Sequence, residues 1–421
     1  MTFTLGVVLF AIGIGLSIAL HEFGHLLTAK AFGMKATRYF IGFGPTLFSF
    51  RRGETEYGLK AIPLGGFCKI VGMTPQDDDV APEDQARAMW RFPVWKRTVV
   101  MSAGSITHFL LALVAAWFAA ISIGLPNIAY PQTDADQRAQ AAYITVADCT
   151  WITLPAAAEE CKPGENTAIA GPAYAAGLRD GDLITTVGGT AIATYGELTD
   201  TIRAQKPGPV TFDYIRDGVA GSAKVTLVSA NRKPLTDENG PTRQVAVAGL
   251  GWDQTSVPGV IHYNALTAVS GTANYGWFLV ENTFAAMKRI PEKVPALWNS
   301  LTGSERDPDT PISVVGASRL GGEAIANGVP ELFLTILISL NVFIGIFNLL
   351  PLLPLDGGHI AIAWYERVRS WLYARLRKPD PGRVDYYKLM PITYAVILIG
   401  GAFTLLTVTA DIINPITIYN R

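Results

Sequence analysis

Charge is scarce in this sequence. Only 16% of its 421 residues are Asp, Glu, Lys or Arg, against 49% hydrophobic. That is too apolar for an ordinary soluble protein and fits a membrane protein with a soluble insert. The net charge of −1 leaves no basic surplus, so nucleic acid is not expected as a partner. The N-terminal apolar run has no basic n-region and no small-residue cleavage site before its polar end, so it is read as a retained span, not a cleaved signal peptide.

Four stretches approach or exceed the ~20 apolar residues that cross a bilayer. They are roughly Leu5–Ala29, Val99–Leu125, Leu332–Leu350 and Leu389–Ile413. Eleven Lys or Arg lie between the first two spans and seven between the last two, whereas the N-terminal flank has none and the C-terminal flank only Arg421. Basic short loops stay inside, which places both termini and the large insert outside the cytoplasmic membrane. Cysteine is also sparse, three in all. Cys68 falls in a cytoplasmic loop, where thiols stay reduced. Cys149 and Cys161 share the outer insert, among Pro, Gly and small residues, and are expected to pair as a disulfide.

The first span contains His21-Glu-Phe-Gly-His25. On a helix, H-E-x-x-H sets two imidazoles on one face, where both reach the same Zn²⁺, and the glutamate between them can act as a base toward water. Two histidines satisfied by hydrogen bonds are the plain alternative. Ionisable groups in a membrane helix are costly unless paired or metal-bound, and that location argues for zinc at His21 and His25 with Glu22 as the base.

Beyond this span, Gly42–Phe50 and Thr55–Val71, joined by Arg51-Arg-Gly-Glu54, read as a hairpin or small meander. It either packs the loop down or offers an open strand edge to an extended peptide. Asp77–Asp84 is an acidic linker expected to be solvated and mobile. Trp90, Phe92 and Trp95 with Arg91 and Arg97 form the interfacial belt of the second span. His108 inside that span is read as hydrogen-bonded within the bundle, with metal ligation as the alternative.

Residues 126–165 read as irregular. From Gly171 to Val228 short strands, one helix over Thr194–Ile202 and a Gly-turn hairpin describe a small α/β domain. Its Gly171-Pro-Ala-Tyr-Ala-Ala-Gly-Leu-Arg-Asp-Gly-Asp-Leu-Ile184 run resembles the signature of bacterial PDZ domains, which implies a groove for an extended peptide or C-terminus. Residues 262–303, rich in Trp and Phe but interrupted by charge, read as amphipathic helices on the outer membrane surface, with packing against the PDZ-like domain as the alternative.

The third span runs into Asn348-Leu-Leu-Pro-Leu-Leu-Pro-Leu-Asp-Gly-Gly358. Pro351 and Pro354 stop the helix, two glycines permit unusual dihedrals, and the segment is expected to unwind at membrane depth with Asp356 in the break. Asp356 either completes a His₂-carboxylate zinc site with an open position or caps the next helix. The resulting architecture is a polytopic α-helical membrane protein with a cytoplasmic β-hairpin and an extracytoplasmic PDZ domain. Its parts are a first span (1–31), hairpin and linker (32–97), a second span (98–125), the outer region (126–260, PDZ near 165–230), surface helices (261–330), a third span (331–358), a cytoplasmic helix and loop (359–388) and a fourth span (389–414).

With these residues in place, the chain resembles the site-2 protease family of intramembrane zinc metalloproteases, in its bacterial branch. The resemblance is carried by His21–His25, Gly42-Phe-Gly-Pro45, Pro63-Leu-Gly-Gly66, the insert, Ser318-Arg-Leu-Gly-Gly322 and Asn348–Gly358. It implies that His21, His25 and Asp356 hold zinc, that Glu22 is the general base, and that Asn348 holds unwound substrate backbone. It further implies that the edge strand at Gly65, Gly66 and Phe67 aligns the substrate. Implied partners are single-span membrane proteins such as anti-sigma factors, cut after a first extracytoplasmic cleavage, together with membrane lipids. Two departures stand out. The second span has Gly104-Ser-Ile-Thr-His-Phe109 where relatives usually show Gly-Pro-x-x-Asn-Phe, and one PDZ-like insert stands where many carry two. The competing readings are a membrane metalloprotease acting on loops, misfolded proteins or signal-peptide remnants, and a non-catalytic PDZ sensor with structural zinc.

Overall fold

Among the described residues four helices are long and apolar enough to cross a membrane: Thr2–Ala31, Val94–Ser122, Pro330–Asn348 and Tyr386–Ile413. The computed structural model describes residues 2–73, 80–131, 133–154, 160–233 and 241–418, the side chains of Pro63 and Leu64 excepted. Two compact units result, Met1–Pro126 with Ile261–Arg421, and Asn127–Val260.

In the first unit, α1 (Thr2–Ala31) and α2 (Val94–Ser122) pack through small residues, as membrane helices without a hydrophobic driving force require. A Cβ at Gly24 would lie 2.7 Å from the Ala103 carbonyl oxygen and 2.6 Å from Thr107 Oγ1. Between these helices stand β1 (Ala36–Arg52) and β2 (Thr55–Ile70), each bent into two arms. Residues 38–41 pair with 66–69 on one side and with 56–59 on the other, while 46–52 pair with 55–60. The bend in β1 falls at Gly42-Phe-Gly-Pro45, where Gly42 and Gly44 take φ of +88° and +80°, open only to glycine at low cost. The expected hairpin or meander is a hairpin folded into a four-armed sheet, in the order 66–70, 38–41, 56–59, 46–52, so its edges are 46–52 and 66–70. Its outer face leaves Leu47 and Phe48 more than 60% exposed. Of the acidic linker Asp77–Asp84, residues 77–79 lie outside the described residues. Its end is anchored, not free: Lys35 Nζ reaches Asp84 Oδ1 at 2.6 Å.

The second unit is built on a five-stranded sheet. Its strands are β3 (Leu183–Val187), β4 (Thr190–Ala191), β5 (Gly208–Arg216), β6 (Val219–Arg232) and β7 (Arg243–Val247), in the order β7-β6-β5-β3-β4. Helix α3 (Tyr195–Ala204) starts at a Thr194/Glu197 capping box, which satisfies two otherwise orphaned backbone donors. The β5–β6 turn is tighter than the sequence suggests. Asp217 and Gly218, at φ +51° and +79°, make a two-residue loop because both dihedrals suit the strand twist. Cys149 and Cys161 are bonded, with their Cα atoms 5.8 Å apart. The stretch 126–165 is less irregular than expected: Ile144–Val146 pairs with Leu250–Trp252. Ile144, Ala246 and Ala248 join Leu178, Ile184, Leu198 and Phe212 in one core, so this core reaches beyond 165–230.

Returning to the first unit, α4 (Thr267–Leu301) is one 35-residue helix, not the several expected. It buries Ala268, Tyr275 and Leu279 with Ala112 and Ala116 of α2, a packed face within the helical unit. α5 (Val314–Ala326) seats Gly321 against Phe10 and Gly322 against Val7 of α1. α6 (Pro330–Asn348), α7 (Asp356–Arg375) and α8 (Met390–Ile413) complete the unit. At the end of α8, Asp411 Oδ1 meets Arg306 Nη1 at 2.7 Å, both side chains almost free of solvent. Arg306 also donates to the Asn414 and Pro311 carbonyls and to Thr310 Oγ1. The Ser313 N–H donates to Asp411 Oδ2 at 2.6 Å, so each member of this buried ion pair has further hydrogen bonds.

Candidate metal centre

α1 delivers the first two donors. Four residues apart on one helical face, His21 and His25 bring their Nε2 atoms within 3.1 Å of each other. His25 Nδ1 donates to the Val100 carbonyl oxygen of α2 at 2.7 Å, which fixes its tautomer and turns the Nε2 lone pair toward His21. Gly104 makes this approach possible, since a Cβ there would stand 2.5 Å from both His21 Cε1 and His25 Nε2.

The third donor comes from the break between α6 and α7. Helix α6 stops at Asn348 and α7 begins at Asp356, with non-helical chain between them. Asp356 is thus the first residue of the new helix, not a member of the unwound segment; the N-cap position is Leu355 with no side-chain cap, so the capping alternative is not realised. The glycines also act differently from expectation. Gly357 and Gly358 are helical, and what they permit is close approach. A Cβ on Gly357 would strike the Leu349 and Leu350 carbonyls, and one on Gly358 would lie 2.7 Å from Leu353 N. The start of α7 therefore folds directly onto the preceding loop, and this sets the carboxylate opposite the histidines.

Asp356 Oδ2 lies 3.4 Å from His21 Nε2 and 3.3 Å from His25 Nε2. The three atoms form a nearly equilateral triangle. Tetrahedral zinc with bonds of about 2.0–2.1 Å has ligand–ligand edges of about 3.3 Å, so the triangle has the size of one face of such a site. Asp356 Oδ2 and His21 Nδ1 are buried without a hydrogen-bond partner. A carboxylate oxygen buried against imidazole lone pairs is costly unless a cation lies between them. Donor set, spacing and orphaned atom all fit a zinc ion, and His21, His25 and Asp356 are the group among the described residues able to hold one.

Glu22 stands beside this triangle, half-buried, against the 66–70 edge arm. A Cβ at Gly66 would be 2.9 Å from Glu22 Cγ, and the Cys68 backbone N–H donates toward the Glu22 carboxylate. Burial first, and then the Glu22 charge, push the Cys68 thiol up to about 12. Gly65 takes φ of +120°, and Phe67 stacks between Phe40 and Phe43 at centroid distances of 5.5 and 6.3 Å. That side chain is therefore part of the sheet's aromatic ladder. Asn348 is half-buried at the end of α6 and makes no hydrogen bond to the three donors.

His108 lies outside the donor triangle. Its ring is 5.0 Å from that of His21, and its Nδ1 donates to Asn341 Oδ1 at 2.8 Å. Asn341 Nδ2 donates in turn to the Leu337 carbonyl, which fixes the amide orientation. Sequence reasoning missed Asn341, although a lone amide in the apolar run of α6 is the kind of intramembrane polar residue that marks a site. It also missed Gly104 and the Val100 carbonyl, whose roles depend on how α1 and α2 cross.

The sequence profile of peptidase family M50 matches residues 9–378. The chain is 41% identical to zinc metalloprotease Rip1 of Mycolicibacterium smegmatis over 425 residues, covering 100% of both chains. It is 40% identical over 421 residues to zinc metalloprotease Rip1 of Mycobacterium tuberculosis, again covering 100% of both.

Proposed function

The chain belongs to peptidase family M50 and is a zinc metalloendopeptidase of the site-2 protease type, and on that premise we propose that it hydrolyses transmembrane segments of single-span proteins inside the bilayer. The observation that carries this reading is the convergence of His21, His25 and Asp356 on one point, on and beside membrane-crossing helices, with Glu22 against an open sheet edge. His21, His25 and Asp356 are the ligands. Bound there, zinc supplies a Lewis acid for the scissile carbonyl and acidifies water.

Glu22 takes the proton from the attacking water on its carboxylate and returns it to the leaving amine nitrogen. A substrate helix hides its amides in i→i−4 bonds, so it has to unwind before attack. The edge strand at Gly65, Gly66 and Phe67, where arm 66–70 begins, is the edge against which the unwound backbone aligns by strand addition, and Asn348 holds the backbone farther along. The exposed apolar face of this sheet, at Leu47 and Phe48, supports its dipping into the membrane.

The basic loops support an orientation with that sheet and α7 in the cytoplasm and the termini and the 127–260 unit outside. That unit acts as a PDZ domain excluding bulky ectodomains, so that anti-sigma-factor-type substrates are cut after an earlier protease has trimmed them. The test is a single-span substrate in proteoliposomes, supplied intact and trimmed, with product ends mapped by mass spectrometry. Ends inside the apolar segment and faster cutting of the trimmed form are expected. Ends in soluble loops would point to a loop-clipping protease, and equal rates would remove the exclusion role.

A further inference from the structure

A second chemically distinct site lies farther along α7, two to four turns from Asp356. Between the start of α2 and the third and fourth turns of α7 there is a cavity of about 590 Å³, bordered by the 380–383 loop. Its charged lining is Arg97, Glu366, Arg367, Asp380 and Arg383. Part of this charge is already matched. Arg97 Nη1 pairs with Glu366 Oε2 at 3.2 Å, and Glu366 Oε1 accepts the Val384 N–H at 2.9 Å. Asp380 is occupied by the Ser370 hydroxyl and the Gly382 N–H, each at 3.0 Å.

Three arginines against two carboxylates leave the lining with one net positive charge. Among the described residues Arg367 and Arg383 have no ion-pair partner, and Arg383 is steered over the Trp90 ring at 4.4 Å, a contact that orients a guanidinium without neutralising it. The cavity also borders apolar surface. Trp364, Val368, Trp371 and Leu372, at helical positions i, i+4, i+7 and i+8 of α7, are all about half exposed, as is Trp95 at the first turn of α2. A helix with such a stripe flanked by arginines lies in a membrane interface. Arg97, in the first turn of a membrane-crossing helix, puts the cavity at headgroup level.

We infer that this cavity binds the phosphodiester headgroup of an anionic phospholipid, with Arg367 and Arg383 on the phosphate and the acyl chains along the Trp364–Leu372 stripe. Guanidinium forks match phosphate oxygens in geometry and charge, and a water-soluble anion would leave the apolar stripe unused. The site differs from the metal centre in residues and in ligand. It bears on that centre, because α7 carries Asp356 at its first residue and the lipid would tie α7 to α2, which packs on His25.

The test uses full-length protein in mild detergent. Native mass spectrometry with phosphatidylglycerol, phosphatidylcholine and inorganic phosphate reads occupancy, and hydrogen exchange of peptides spanning 363–370 and 380–384 reads the place. Discrete phosphatidylglycerol adducts and slowed exchange in both peptides are expected, with neither from phosphatidylcholine. The Arg367→Gln/Arg383→Gln variant should lose about tenfold in occupancy, while Arg377→Gln/Lys378→Gln, just past the end of that helix, keeps it. Equal binding of both lipids, equal loss in both double variants, or inorganic phosphate protecting as well as lipid would each overturn the inference. Exchange on the unmodified protein decides the matter if the double variant does not fold.

Discussion

Replacing Gly104 with alanine would put a methyl carbon 2.5 Å from His25 Nε2 and His21 Cε1, and 2.6 Å from His21 Nε2. Non-bonded heavy atoms settle near 3.5–4.0 Å, so the imidazoles must retreat by about 1 Å. Metal sites hold their ligand distances to within about 0.2 Å. The alternative is for α1 and α2 to part, which opens the seam between Gly24 and Ala103 and carries the ~1–3 kcal/mol cost of an overpacked contact. Either route spoils the His21–His25–Asp356 triangle while leaving the helices formed. Gly104→Ala should therefore lose zinc affinity by at least about tenfold, the loss typical of misplaced ligand support, with unchanged helical circular dichroism. Zinc per protein, measured after dialysis against chelators of rising strength, reads this directly. Gly15→Ala, on the helix α1 that carries the histidines, is the control, because its Cβ meets nothing within 4 Å. A Gly104→Ala protein that kept zinc as well as wild type would refute the packing argument.

Three further predictions follow from other contacts. Gly66→Ala, whose Cβ would press on Glu22 Cγ at 2.9 Å, should keep zinc yet slow cleavage. Equal loss of metal and activity would show that the edge arm supports the ligands instead. Arg306→Met strands Asp411 in a buried setting and should cost about 3–5 kcal/mol of stability, read by denaturant titration in detergent; a change under 1 kcal/mol would mean that the pair behaves as a surface one. The Cys68 thiol, pushed up to about 12 by burial and then by Glu22, gains its charge only far above neutrality. At pH 8 its alkylation should run roughly a thousandfold slower than that of a free thiol near 8.5, and ordinary labelling rates would contradict the buried placement.

Much of the site is legible in residue types. H-E-x-x-H on an uncharged run and an aspartate beside two prolines and two glycines announce three donors before any coordinates exist. Their meeting is less legible. The sequence puts Asp356 in an unwound stretch, whereas the glycine backbone of Gly357 and Gly358 lets α7 start immediately and press against 349–353. Helix seams are invisible for a similar reason. Gly104 looks like any small residue in a span, and only the crossing of α1 and α2 gives it two imidazoles to accommodate. Packing within 262–303 is also less legible, where Glu281, Lys288 and Arg289 suggest amphipathic helices on a membrane surface. The structure runs one helix through them and buries Tyr275 and Leu279 against α2 and α6, because charges confined to one side of a long helix do not prevent packing on the other. His108, read as a bundle histidine, is hydrogen-bonded in that way to Asn341.

The most direct test of the metal-centre account measures zinc content and cleavage of a single-span helix together, in wild type, Glu22→Gln and Asp356→Ala. The geometry predicts that Glu22→Gln holds zinc like wild type and cuts nothing, because Glu22 stands beside the donor triangle and not in it. It predicts that Asp356→Ala loses both metal and activity. Cleavage by Glu22→Gln, or full zinc retention by Asp356→Ala, would contradict the account.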